Sequence, residues 1–447
     1  MTKDMTTGSP LRIILLFSIP VLLGNLFQQF YNMVDTIIVG RYLGEEALAA
    51  VGSTGCLMSL VLGFANGIAQ GFGVMVSHAF GAKDFKLLRH YVALSLILTL
   101  IISLLLTIPT VTASRLLLAW MHTPENIIAM ADAYIKVIFA GILLTMAYNV
   151  VSGILRGIGD SRTPLYFLIL SSVLNIILDV VLIVYTGLGT AGAAYATIIA
   201  QGVSAVLCFF YMYRKYDILR TRHEDYYLDS AGVKNMLAIG VPMALNYSIT
   251  AIGTMIMQSA VNVFGSSVVA AFTAASKVSN IATQSMPTLG TAMATYCGQN
   301  LGAGKYDRIY AGMRQGLFLC FGAAATAAAI CIFGGRFIVS WFVSNPSEEI
   351  FSSAMQYLTI ASWFFLPLAM IFLYRNALQG LDQGLIPMLS GVVELACRFG
   401  VIALIPASTG FFGVCFADPA AWAGAGIPLF ITYLLWEHRM KQHHKAA

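Results

Sequence analysis

Apolar residues run along this chain in stretches of about 20 or more, each long enough to cross a bilayer as a helix, with short polar breaks between them. Twelve such segments are predicted, at approximately 12–40, 47–77, 91–119, 127–155, 163–186, 190–213, 235–264, 268–299, 311–343, 350–374, 386–406 and 411–436. The longest polar connection, RKYDILRTRHEDYYLDSAGVK at 214–234, separates the sixth from the seventh. On either side of it the same punctuation returns in the same order. Pro20 answers to Pro242, FGAKD at 80–84 to LGAGK at 301–305, RGIGDSRTP at 156–164 to QGLDQGLIP at 379–387, and GTAGAAYAT at 189–197 to GFFGVCFAD at 410–418. Six spans separate the copies, an even number, so both halves enter the membrane in the same orientation. The expected fold is an all-α integral membrane protein of twelve transmembrane helices in two pseudo-symmetric six-helix lobes. An N-terminal lobe at 1–213, a linker at 214–234 and a C-terminal lobe at 235–447 are its parts, with a substrate cavity expected between the lobes.

Composition changes this picture only by excluding alternatives. With 58% hydrophobic and 10% charged residues, the chain lies far from soluble domains. Its first apolar run is too long for a signal-peptide core. Of the 25 Lys and Arg, only Arg41, Arg115 and Arg336 fall in loops on the side opposite the termini and the linker. That bias places both termini and 214–234 in the cytoplasm of a multi-pass protein of the plasma (inner) membrane. It also accounts for the net charge of +5 without nucleic acid as a partner. The seven cysteines are scattered through apolar segments without CxxC spacing, and the histidines are expected in loops or the tail, so no metal motif or nucleophile with its base suggests an enzyme.

Against this apolar background the few buried polar positions stand out. Asn25, Gln28, Gln29, Asn32, Asp35 and Thr36 form one stripe on the first span, which must face the bundle interior or a wet cavity. Asn175 and Asp179 share a face of the fifth span, and Thr197 of the sixth lies at a similar depth. Asp35, Asn175, Asp179 and Thr197 are therefore expected to form one oxygen-rich cluster, fit for a shared proton or a small hard cation. The competing reading of each acid is an interfacial residue or a structural hydrogen bond. Glu394 and Arg398, four apart, predict a buried ion pair. Asp418, the repeat counterpart of Thr197, has no assigned role, and Lys277 is expected to be tied to carbonyls or an acid. Pro20 and Pro242 each remove a backbone hydrogen bond within the first span of a lobe, and Pro20 is the candidate hinge.

Taken together, PVLLGNLFQQFYNMVDTIIVGRYLG at the start, AFGAKD, GILRGIGDSRTPL, NIILD followed by GLGTAGAAYAT, and GQNLGAGKYD resemble the multidrug and toxic compound extrusion (MATE) family, most closely its DinF-like branch. The resemblance implies an antiporter that exports organic cations, drugs or related amphiphilic metabolites by alternating access in exchange for H+ or Na+. It implies that Asp35, Asn175, Asp179 and Thr197 take up the coupling ion, serving as metal ligands only if that ion is Na+, with no other cofactor. It matches Pro20 to the first-helix proline of that branch. The expected partners are a small organic molecule and the bilayer, and the expected state is a monomer. A flippase for a lipid-linked substrate is the alternative. It is disfavoured because only Lys277 and Arg398 are expected well inside the spans, too few cations for a polyanionic lipid.

Overall fold

The computed structural model describes residues 4–342, 347–405 and 407–446. They are helical throughout: α1 Pro10–Leu43, α2 Glu45–Ser53, α3 Gly55–Gly81, α4 Phe85–Trp120, α5 Glu125–Ala140, α6 Ile142–Gly157, α7 Arg162–Val180, α8 Gly189–Lys215, α9 Ser230–Asn262, α10 Ser266–Thr283, α11 Ser285–Gly302, α12 Tyr306–Phe342, α13 Glu348–Trp363, α14 Phe365–Gly380, α15 Leu385–Leu404, α16 Gly410–Val414 and α17 Ala417–Ala446. One π turn, Val181–Tyr185, extends α7. Among the described residues nine helices are long and apolar enough to cross a membrane, and the bent pairs α5–α6 (47°) and α13–α14 (53°) raise the number to eleven. The remaining expected span, 268–299, is the pair α10 and α11. Its Ser, Thr, Gln and Asn residues and Lys277 make it more polar than the others.

The sequence repeat is also a repeat of backbone. Left-handed residues terminate or connect helices at Gly44 and Gly265, Lys83 and Gly304, Gly159 and Asp382, and Gly189 and Gly410, each pair 221 to 223 positions apart. At Lys83 and Gly304 the chain leaves a helix in the same way. Asp84 N–H bonds Ala79 O at 3.1 Å and Lys305 N–H bonds Asn300 O at 2.8 Å, the closing bonds of a left-handed helix cap. Only one of the two positions is glycine, so the first half tolerates the strain of a lysine with φ of 57°.

The chain divides into two compact units, one formed by Asp4 and 19–248, the other by Met5–Ser18 and the described residues from Ile249 onward. In this grouping the linker at 214–234 and the first half of α9 belong with the first unit. α9 is held by close backbone approach to α3, where a Cβ on Gly67 would lie 2.4 Å from Ala244 Cα, and the linker by polar contacts. Tyr216 donates to Asp160 Oδ2 at 2.5 Å, Arg89 pairs with Asp225 at 3.4 Å, and His90 bonds Asp225 O through Nδ1 at 3.0 Å and Asp229 Oδ1 through Nε2 at 2.7 Å, with Tyr227 stacked on its ring. His90 is thus buried on α4, not in a loop as expected of the histidines. Within the first unit α3 and α6 approach through glycine: a Cβ on Gly153 would lie 2.9 Å from Ala69 O. In the second unit Asn300, Lys305 and Arg308 hold the segment before α1 through the carbonyls of Met5, Thr6 and Gly8.

Candidate functional site

In the first unit α7 packs against α8, and polar side chains meet at that seam. Asn175 and Asp179, one turn apart on α7, are both buried. Asn175 Nδ2 donates to Thr197 Oγ1 on α8 at 3.3 Å, and the Thr197 hydroxyl donates onward to Ala193 O at 3.1 Å. Asp35, half-buried on α1, brings its carboxyl within hydrogen-bonding reach of Asp179. Three helices thereby bring together the four residues that the sequence assigned to one cluster.

Their oxygens decide what the cluster can do. Asp35 Oδ1, Asn175 Oδ1 and both carboxylate oxygens of Asp179 are buried, and no donor faces them among the described residues. A buried acceptor without a donor costs about 1–3 kcal/mol and more when charged, and two adjacent carboxylates repel if both are ionised. A proton shared between the acids removes both penalties. So does a small hard cation, for which carboxylate, amide and hydroxyl oxygens are suitable ligands. No group of three or more His, Cys, Asp or Glu side chains converges among the described residues.

Sequence reasoning missed the groups around this cluster. Tyr31, one turn before Asp35, has its hydroxyl within reach of Gln28 and Gln201. Gln201 Oε1 accepts from Thr145 at 2.5 Å, and Asn149 donates to Asn66 at 2.6 Å. Tyr134 on α5 lies close to both acids. The i, i+4 spacing from Tyr31 to Asp35 was a usable signal. Along the polar stripe on α1, Gln28, Gln29, Asn32 and Thr36 are exposed, while Asn25 and Asp35 are half-buried. Pro20 is buried within α1, which continues through it as an unbroken helix.

The second unit holds a different polar center. Arg398 reaches Glu394 at 3.4 Å, and its Nε donates to Asp418 Oδ1 at 2.9 Å. Glu394 also pairs with Arg375 on α14 at 2.9 Å, and Tyr357 donates to Asp418 Oδ2 at 2.9 Å. The isolated pair expected from spacing is therefore part of a four-charge network that balances itself. Arg375 was missed because the predicted span ended at 374, whereas α14 runs on to Gly380 and buries it. Lys277 corrects the opposite error: it is exposed, with its ammonium 5.5 Å from the centroid of the Phe342 ring in place of the expected carbonyls or acid.

Comparison with known proteins converges on one family. The MatE family profile matches residues 20–181 and 242–404, one match in each sequence half. The probable multidrug resistance protein YpnP of Bacillus subtilis (strain 168) is 29% identical over 435 residues, covering 96% of this chain and 96% of the relative. YoeA of the same strain, also described as a probable multidrug resistance protein, is 30% identical over 372 residues, covering 82% of this chain and 80% of its own. Among solved structures, a MATE in complex with MaL6 matches with a TM-score of 0.91 at 24% identity, covering 99% of this chain and 100% of its own. A multidrug resistance MATE family transporter in an outward-facing conformation matches with a TM-score of 0.90 at 24% identity, covering 99% of both chains. At that identity the structural likeness establishes the twelve-helix fold alone.

Proposed function

Because this chain belongs to the MatE family of multi-pass membrane transporters, we propose that it is an H+- or Na+-coupled antiporter that exports organic cations, drugs or related amphiphilic metabolites by alternating access. The observation that carries the coupling is the convergence of buried oxygens from Asp35, Asn175 and Asp179 with no facing donor. Such a set is stable when neutralised and strained when empty, so ion arrival and departure change the free energy of whichever conformation encloses it. α1 and α7 supply these oxygens and Thr197 of α8 is bonded to Asn175, and a change in ion occupancy therefore acts on how α1 lies against α7 and α8. Pro20, with no N–H to donate, is where α1 bends most cheaply.

The multidrug descriptions of YpnP and YoeA favour drug-like substrates here too. Lipid flipping gains no support from them, and the charges support it no better. Arg375 adds a cation to those expected inside the spans, but Glu394 neutralises it. The test is export of fluorescent organic cations from proteoliposomes, with a pH gradient and a Na+ gradient imposed separately. Uphill movement driven by one ion and abolished by Asp179→Asn supports the reading. Flux that follows only the substrate gradient overturns it.

A further inference from the structure

The two halves treat the same repeat positions in opposite ways. α7 and α15 begin at Arg162 and Leu385, and α8 and α16 at Gly189 and Gly410, so the repeat carries over helix by helix. In that register Asn175 corresponds to Arg398 and Thr197 to Asp418, and in each half the corresponding pair is in contact: 3.3 Å from amide to hydroxyl in the first, 2.9 Å from guanidinium to carboxylate in the second. The acids of the first cluster have apolar counterparts, Met257 for Asp35 and Ile402 for Asp179. Carboxylates reappear instead at Glu394 and Asp418, around the arginine.

The guanidinium spans the counterparts of the three helices that build the first cluster. It extends from α15, its Nε binds Asp418 on α17, and its Nη1 lies so close to α9 that a Cβ on Gly253 would stand 2.0 Å from it. Glycine at 253 leaves room for that nitrogen without any shift of the arginine side chain. Arg375 completes the charge balance by taking the other Glu394 oxygen.

We propose that the second unit contains the counterpart of the ion site, a cation site for a guanidinium group, filled permanently by the chain's own Arg398. The comparison with the first cluster rests on the ion-coupling reading above; the site itself rests on the geometry of α9, α15 and α17. A tethered cation cannot exchange with solvent, so ion exchange is confined to the Asp35–Asp179 cluster while the second unit keeps its acids neutralised throughout the cycle.

Truncation by Arg398→Ala removes a fragment the size of ethylguanidinium and leaves Glu394 and Asp418 facing the vacated space. Purified in detergent, this variant is expected to gain thermal stability with ethylguanidinium, saturably and at concentrations too low to denature. The wild type is expected to show no such gain, and addition of Glu394→Gln and Asp418→Asn should abolish it. No stabilisation of the variant, or equal stabilisation of the wild type, overturns the proposal. A second cycle applies if that variant does not fold. Gly253→Ala should lower the unfolding temperature by pushing on Nη1, and Arg398→Lys in that background, which keeps the charge but removes the fork, should restore part of the loss. A Gly253→Ala protein as stable as the wild type, or no restoration, shows that the guanidinium is not seated against α9. Neither readout involves transport. Repeating both with Asp35→Asn should change neither result, so failure of ion coupling at Asp35 and failure of this site are separable.

Discussion

Arg375 and Glu394 meet at 2.9 Å between α14 and α15, both more than nine-tenths buried. Each completes the other's charge, and Glu394 simultaneously serves Arg398 at 3.4 Å. Removing this one carboxylate leaves two guanidiniums with only Asp418 to balance them. Breaking a buried ion pair by deleting one partner costs about 3–5 kcal/mol. Glu394→Gln is therefore expected to lower the amount of folded protein more than the transport rate per folded molecule. Quantitative immunoblotting beside flux normalised to protein measures both, and normal abundance with abolished export contradicts the structural role.

A different outcome is expected at the first cluster. Asp35→Asn and Asp179→Asn each remove one charge from a site that already has more acceptors than donors, so folding should survive. Ion-driven uphill export should fall to background while substrate binding remains measurable. Wild-type ion-driven efflux in both variants at wild-type abundance shows the cluster to be structural.

Outside the membrane-spanning segments, Asp160 links stability to pH. Burial alone would raise its pKa, but hydrogen bonds from Thr163 and Tyr216, with the Lys215 ammonium nearby, hold the carboxyl below its ordinary range. A depressed folded-state pKa contributes stability that is present above the unfolded value, about 3.9, and is lost as pH falls through the folded one. Asp160→Asn should cost about 2 kcal/mol near neutral pH, the worth of hydrogen bonds to a charged acceptor. It should also remove part of the loss of stability on acidification. Thermal unfolding across an acidic pH series measures both, and parallel wild-type and variant curves exclude the linkage.

His90 gives a test of the linker's attachment. His90→Ala removes bonds to Asp225 O and Asp229 Oδ1 and the stack on Tyr227. It should make 217–229 more susceptible to limited proteolysis, with a loss of about 1–3 kcal/mol for the partners left unpaired. Unchanged cleavage would mean that the remaining contacts suffice.

Orientation is open to direct labelling. With the linker in the cytoplasm, as the Lys and Arg bias predicts, a cysteine at exposed Ser230 should resist an impermeant thiol reagent in intact cells. One at exposed Ser347 should react. Labelling of the Ser230 site from outside reverses the topology.

What this sequence determined by itself was whatever depends on local, additive free energies. Apolar length defines a span because every residue's transfer into hydrocarbon adds to the same sum, and the repeat shows because duplicated helix ends keep their turn residues, as at FGAKD and LGAGK. Asp35, Asn175, Asp179 and Thr197 were legible because polar groups in hydrocarbon are costly enough to stand out. Tertiary structure alone decided which partners those costs select. Glu394 has Arg398 at helical spacing, yet its closer contact is Arg375, a residue 19 positions away on another helix. His90 meets Asp229 across 139 positions, and Lys277 finds an aromatic ring in place of an acid. An ionic contact depends on distance in space and on the water excluded around it, and neither quantity is a property of any window along the chain.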